Sequence, residues 1–229
     1  MILRFTFVVV FLFSAFSVRA GEVLDRVVVT VNGHVILLSD WDDELRYESF
    51  MSARKLEGIS VKEQRAALNH LIDQELVREQ MRPANAKPLP PEQIAHQLET
   101  IRAEVLRDNP GSSWQQVLSK YRLSQDFIHN RITTELQQLQ LVDSRFRPSV
   151  HVSQAEIEQY YKDQLVPKLP IGDPVSLSEV APKIREILLQ DKVNQMVHSW
   201  LESLRTQAQI KALGGNSNTT SISRQVGAR

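Results

Sequence analysis

Residues 27–40 read VVVTVNGHVILLSD, and this short stretch constrains the fold more than any other part of the chain. Val27 to Val31 is a β-branched run of strand character, Asn32-Gly33 is a tight-turn dipeptide, and Val35 to Leu38 resumes the apolar run. A hairpin is expected here. Two strands alone are marginal in water, so the hairpin requires a third strand and an apolar layer to cover it. Beyond Leu38 the chain reads as helix and turn for well over a hundred residues, so the partner must come from far along the sequence.

The helices announce themselves through caps and stripes. Ser39 is the expected cap of a first helix with Asp40, Asp42 and Asp43 at its positive end, fading near Gly58. Ser60 with Glu63 is a capping box for a second helix that runs to Arg82-Pro83, with Ala67, Leu68, Leu71, Ile72, Leu76 and Val77 on one face. Pro91 opens a third, striped by Ile94, Leu98, Ile101 and Val105 and ended by Asp108-Asn109-Pro110-Gly111. A short helix is expected around Trp114 to Tyr121, a long one from Ser124 to just before Pro148, and another short one from the Ser153–Glu156 capping box. Residues 165–177 have linker chemistry. The last helix opens near Ser178, because Pro182 is tolerated only in a first turn, and its stripe runs from Ile184 to Leu204. Ala208 to Leu213, AQIKAL, then alternates with period two, which makes it the candidate for the missing strand. The expected fold is mainly α with a small β-sheet, in which the N-terminal β-hairpin pairs with a C-terminal strand.

Composition excludes more than it assigns. Lys plus Arg and Asp plus Glu are 27 each, so no net field draws the chain to nucleic acid or to an anionic membrane. Residues 1–20 combine Arg4, the apolar run Phe5 to Phe16 and a small-residue end at Ala20, the signature of a secretory signal cleaved after Ala20. The expected location is periplasmic or secreted, with no membrane span after cleavage. The sequence has no cysteine, which rules out disulfides, thiol catalysis and Cys-ligated metals. Its six histidines match no zinc-helix spacing, and neither a phosphate loop nor a nucleophile elbow occurs. No cofactor, metal or catalytic residue is expected, and Asp40, Asp42, Asp43 and Glu44 read as acids at a helix start. Residues 214–229, rich in Gly, Ser, Asn and Thr, read as a disordered tail.

The segments VVVTVNGHVILLSDWD, ALNHLIDQELVREQM and LSEVAPKIREILLQDKVNQMVHSWLESLRTQAQIKAL, in this order behind a secretion signal, resemble the chaperone domain of the SurA family of periplasmic proteins. The resemblance covers most of residues 21–213: an N-terminal part over 21–164, the linker, and a C-terminal helix and strand over 178–213. It implies a sheet built from both chain ends and a holdase that binds unfolded secreted or outer-membrane polypeptides without ATP. Typical members carry parvulin-type prolyl isomerase domains, of about a hundred residues each, before the last helix. Here only the linker stands in that place, so no isomerase activity is implied. An isomerase-related protein working through a partner's catalytic domain, and a membrane-anchored adaptor, are the alternative roles.

One helix carries the expected contact residues. Trp41, Leu45 and Glu48 share one face of the first helix, whereas Tyr47, Phe50, Met51 and Arg54 share another. A helix apolar on two sides is either buried all round or offers a patch to a partner. Core packing is the default for such a helix, and Trp41, Tyr47, Phe50 and Met51 are the candidate client-binding residues if it offers a patch.

Overall fold

A computed structural model describes residues 25–81, 88–168 and 175–213. The expected signal, the tail and linker residues 169–174 lie outside them. The hairpin consists of β1, Val27–Val31, and β2, His34–Leu37, joined at Asn32 (φ 49°) and Gly33 (φ 91°). Positive φ at both positions is the two-residue turn whose twist matches the strands, and it explains the Asn-Gly pair. The awaited third strand is β3, Ile210–Ala212, which pairs antiparallel with β1, so the sheet order is β2-β1-β3. Asn32 clamps the far strand into place. Its amide N–H donates to the Gln209 carbonyl at 3.0 Å, and its side-chain oxygen accepts from the Gln209 N–H at 2.8 Å.

Seven helices are described: α1 Leu38–Met51, α2 Val61–Gln80, α3 Pro91–Asp108, α4 Trp114–Lys120, α5 Gln125–Phe146, α6 Gln154–Tyr160 and α7 Leu177–Gln207. The capping boxes at Ser60–Glu63 and Ser153–Glu156 form as expected, and Ser124 accepts from the Phe127 N–H. Two expectations at the ends of α1 are corrected. Asp40, not Ser39, caps the start by accepting from the Leu37 N–H at 2.8 Å. The helix also ends well before Gly58, because Ala53 turns left-handed (φ 50°) and the Arg54 N–H closes onto the Ser49 carbonyl. The first residues of the expected linker, Leu165 to Lys168, continue α6 as further helical turns.

The apolar side chains divide into two cores. Val28, Val29, Val31 and Ile36 of the sheet pack on Trp41 and on Ala67, Leu68, Ile72 and Leu76 of α2. Tyr47 and Phe50 pack instead with Ile101, Val105, Trp114, Val117, Tyr121, Ile128 and Ile132 of α3, α4, α5 and the turn between the last two. The two faces of α1 therefore serve different cores, and the helix is a wall between them. From the far side α7 strings the molecule together. Lys192 reaches Glu156 and the His151 carbonyl, the Phe146 and Trp200 rings meet edge to face at 5.4 Å, and Arg205 holds Asp73 at 2.6 Å. Among the described residues, no helix is long and apolar enough to cross a membrane.

The register separates two prolines placed side by side in β3. Thr30 pairs with Lys211, and the Leu213 N–H donates to the Val28 carbonyl, so alternate amides turn toward β1. Lys211→Pro deletes an inward donor and should cost about 1–3 kcal/mol in urea denaturation, whereas Ala212→Pro deletes an outward one and should cost less. Equal costs would contradict the register.

Candidate functional site

The wall between the cores carries a charge. Glu44 faces inward from α1 and is 1% exposed, a position that a carboxylate tolerates only when paired. Both partners come from the helices it divides. Arg131 of α5, with its side chain 11% exposed, sets one guanidinium nitrogen 2.7 Å from one Glu44 oxygen and a second 2.9 Å from the other, a two-pronged contact. His70 of α2 places Nδ1 2.8 Å from the same carboxylate. Arg131 also bonds Glu135 at 2.6 Å and Gln74 at 3.1 Å, and it lies over the Tyr47 ring at 4.7 Å. Burial pushes Glu44 up, but the His70 hydrogen bond and the Arg131 charge more than offset it, and its pKa lies below the ordinary carboxylate range. The hydrogen bond to Glu44 holds the His70 pKa above 6.5 despite burial. Burial and the Glu44 charge raise Glu48.

Glu44, Glu48 and His70 bring one ligand atom each within 4.8 Å of one another, a spacing a divalent cation accepts. The Arg131 guanidinium already occupies that field with positive charge and takes both Glu44 oxygens. The cluster is an ion-pair network that is complete without a metal.

Beside this network a cleft of about 290 Å³ opens between β2, α1, α2 and α5. Helical spacing builds two of its walls: Leu71, Gln74, Glu75 and Arg78 from α2, and Phe127, Arg131, Thr134 and Gln138 from α5. His34, Val35 and Ile36 of β2 form a third, and Asp40, Asp43 and Glu44 of α1 close the end. Glu75, 6% exposed, is held by Arg78 at 2.6 Å and lies 3.6 Å from His34. Burial raises the Asp43 pKa; Arg46 opposes that rise, and Asp42 and Asp40 add to it. The cleft joins a small apolar floor to fixed charges, the usual composition of a binding site. A second, wider-open groove of about 630 Å³, lined by Phe146, Val150, Met196 and five polar residues, runs where α7 passes the end of α5.

Three of the four candidate client-binding residues are inside. Trp41, Tyr47 and Phe50 are 8%, 6% and 0% exposed, and the Trp41 indole N–H donates to the Gln64 carbonyl at 2.8 Å. Their rings fill the two cores, so of the four only Met51, at 37% exposure, remains open to a client. Pattern alone groups Glu44 with solvated helix-start acids, and it singles out neither Glu75 nor Arg131 as a buried or pairing charge. A sequence signal did exist for Glu44, since it falls between Trp41 and Tyr47 on a helix whose two apolar faces leave little wet surface. No protein-family model matches the chain, and no curated protein matches it closely enough to count as a relative.

Two measurements test the network. Arg131→Met leaves Glu44 buried and half-paired and should lower stability by about 3–5 kcal/mol, and adding Glu44→Leu should recover most of that loss. A double variant no more stable than the single one would show that the pair is not the cause. The His70 proton is stabilised in the folded state, so its contribution is complete below the unfolded pKa near 6.5 and is lost as pH rises through the higher folded value. Stability of the wild type should therefore fall from pH 6 upward through the neutral range relative to His70→Gln, with a flat difference showing that the imidazole does not titrate there.

Proposed function

We propose that the chain is an ATP-independent holdase, a SurA-like chaperone core that captures unfolded polypeptides outside the cytoplasm and has no isomerase module of its own. The observation that carries this reading is the return of β3 to β1, the joining of both chain ends that the family resemblance implies. Two grooves among the helices, one edged by β2 and one along α7, supply concave surface of mixed character. Val35, Met51, Leu139 and Met196, each more than a third exposed, add apolar contacts, and methionine suits weakly selective binding. Capture then works by mass action: binding the unfolded state lowers its free concentration and slows aggregation.

Light scattering tests the reading directly. Several unrelated proteins, diluted from denaturant, should aggregate more slowly with near-stoichiometric amounts of the chain and no nucleotide. Protection of none, or of one alone, overturns it, the latter in favour of a dedicated adaptor. A proline-limited peptide should isomerise at its uncatalysed rate of tens of seconds, and acceleration by substoichiometric chain would make the protein an isomerase instead.

A further inference from the structure

We propose that the cleft beside β2 binds an extended, basic peptide segment, which adds to the sheet as a fourth strand against the open edge of β2. This rests on the holdase reading and names the chemistry of what is held.

The edge is open by register. Among the described residues β2 is an outer strand, paired on one side to β1. His34 faces Val31 next to the two-residue turn and Ile36 faces Val29, and the Leu38 N–H reaches the Arg26 carbonyl. In an antiparallel ladder those alternate residues exchange the inward hydrogen bonds, which turns the N–H and C=O of Val35 outward. Side chains on a strand alternate between faces, so His34 and Ile36 point one way and Val35 the other. All three nevertheless line one cleft. A cleft touched from both faces of a strand runs along its edge, where an added strand would lie.

Charge selects the occupant. Four carboxylates, Asp40, Asp43, Glu44 and Glu75, line the cleft against two guanidinium groups, those of Arg78 and Arg131. Each guanidinium is already committed, Arg131 to Glu44 and Arg78 to Glu75. At the α1 end Arg46 pairs with Asp42 and, at 3.1 Å, with Asp43, one cation against the three acids Asp40, Asp42 and Asp43, so the excess charge there is still negative. Leu71, which packs with the core on the Ile36 side of the strand, and Phe127 offer apolar contact to one set of the peptide's alternate side chains. Alternating valine and lysine meets both requirements; alternating valine and glutamate meets only the apolar one.

The probe is a fluorescein-labelled Val-Lys-Val-Lys-Val-Lys-Val peptide, read by polarisation against the full chain. Three changes should each weaken binding: glutamate in place of lysine, N-methylation of alternate peptide amides, and Val35→Pro in the protein. Val35→Pro removes an outward donor and leaves the β1 ladder intact, as an edge proline does. Losing one or two backbone hydrogen bonds should weaken binding about tenfold. The N-methylated peptide makes the same test on unaltered protein, should Val35→Pro fail to fold. Asp43→Asn should weaken binding of the lysine peptide without weakening that of the glutamate peptide, and added salt should do likewise. Equal binding of the N-methylated and parent peptides, or of the lysine and glutamate peptides, overturns the proposal. So does a dimer that dissociates on Val35→Pro, since the edge would then belong to a second copy. Aggregation protection by the wild type is measured alongside: protection retained without edge-dependent peptide binding refutes this site and leaves the holdase reading standing, whereas loss of both refutes the reading itself.

Discussion

The ladder between β1 and β3 is the contact on which the rest of the molecule depends. It joins residues 28–32 to residues 209–213, so the intervening chain must close a very long loop. For a flexible chain of that length the closure costs on the order of 5 kcal/mol. A few backbone hydrogen bonds, each worth about 1 kcal/mol net, do not outweigh that with any margin. The balance comes from α7, which reaches β3 already fixed by Lys192 on the His151 carbonyl and by Arg205 on Asp73 and the Asn69 carbonyl. Helix docking shortens the free loop, and the strand pairs at the end of a braced arm. The hairpin then gains what it lacked, since the partner strand and Ala208 join the cover over Val29 and Val31.

A second constraint arises from the first. Tying both ends into one sheet leaves α1 between two cores, with Trp41 in one and Phe50 in the other. Any residue on the sides of such a helix is partly inside, and Glu44 is almost wholly so. A buried ion pair rarely adds net stability over a well-packed apolar pair of the same volume. Its effect is to fix arrangement: only one relative placement of α1, α2 and α5 gives Glu44 both His70 and Arg131. The apolar surfaces alone would tolerate small slips along α1. The two-pronged guanidinium contact does not, because a shift of one residue leaves a carboxylate unpaired in the interior.

Local grammar was legible in the sequence, and long-range charge was not. The boxes at Ser60–Glu63 and Ser153–Glu156, the Pro91 start and the Asn32-Gly33 turn each depend on residues within four positions, and each forms as read. The β3 strand was legible for a different reason, since a lone hairpin requires a partner and only one period-two segment remained. Misreadings cluster on α1. Asp40 takes the capping role because the helix already starts at Leu38, which puts Ser39 inside it and Asp40 at the third helical position, where a carboxylate reaches back to the Leu37 N–H. Two apolar faces on α1 announce burial on both sides or a patch for a partner; the Trp41, Tyr47 and Phe50 rings are buried, and which core takes each face is decided by segments distant in sequence. Glu44 meets Arg131 across 87 positions, and no local pattern encodes that pair.

Among the described residues the sheet that results is small and open on both sides, a hazard because unpaired edges invite other strands. The two edges are not equivalent. β3 offers three residues, with Lys211 at its centre, and is succeeded by Leu213, half exposed. β2 offers one outward peptide group at Val35, set in a cleft whose rim carries Asp40 and Asp43. A second copy approaching β2 edge to edge would bring those same carboxylates against their twins, and like charges at close range repel. The acids that discourage self-pairing are the ones that favour a strand of opposite sign. An edge left short, recessed and negatively charged is thus protected against its own kind while remaining available to a different chain.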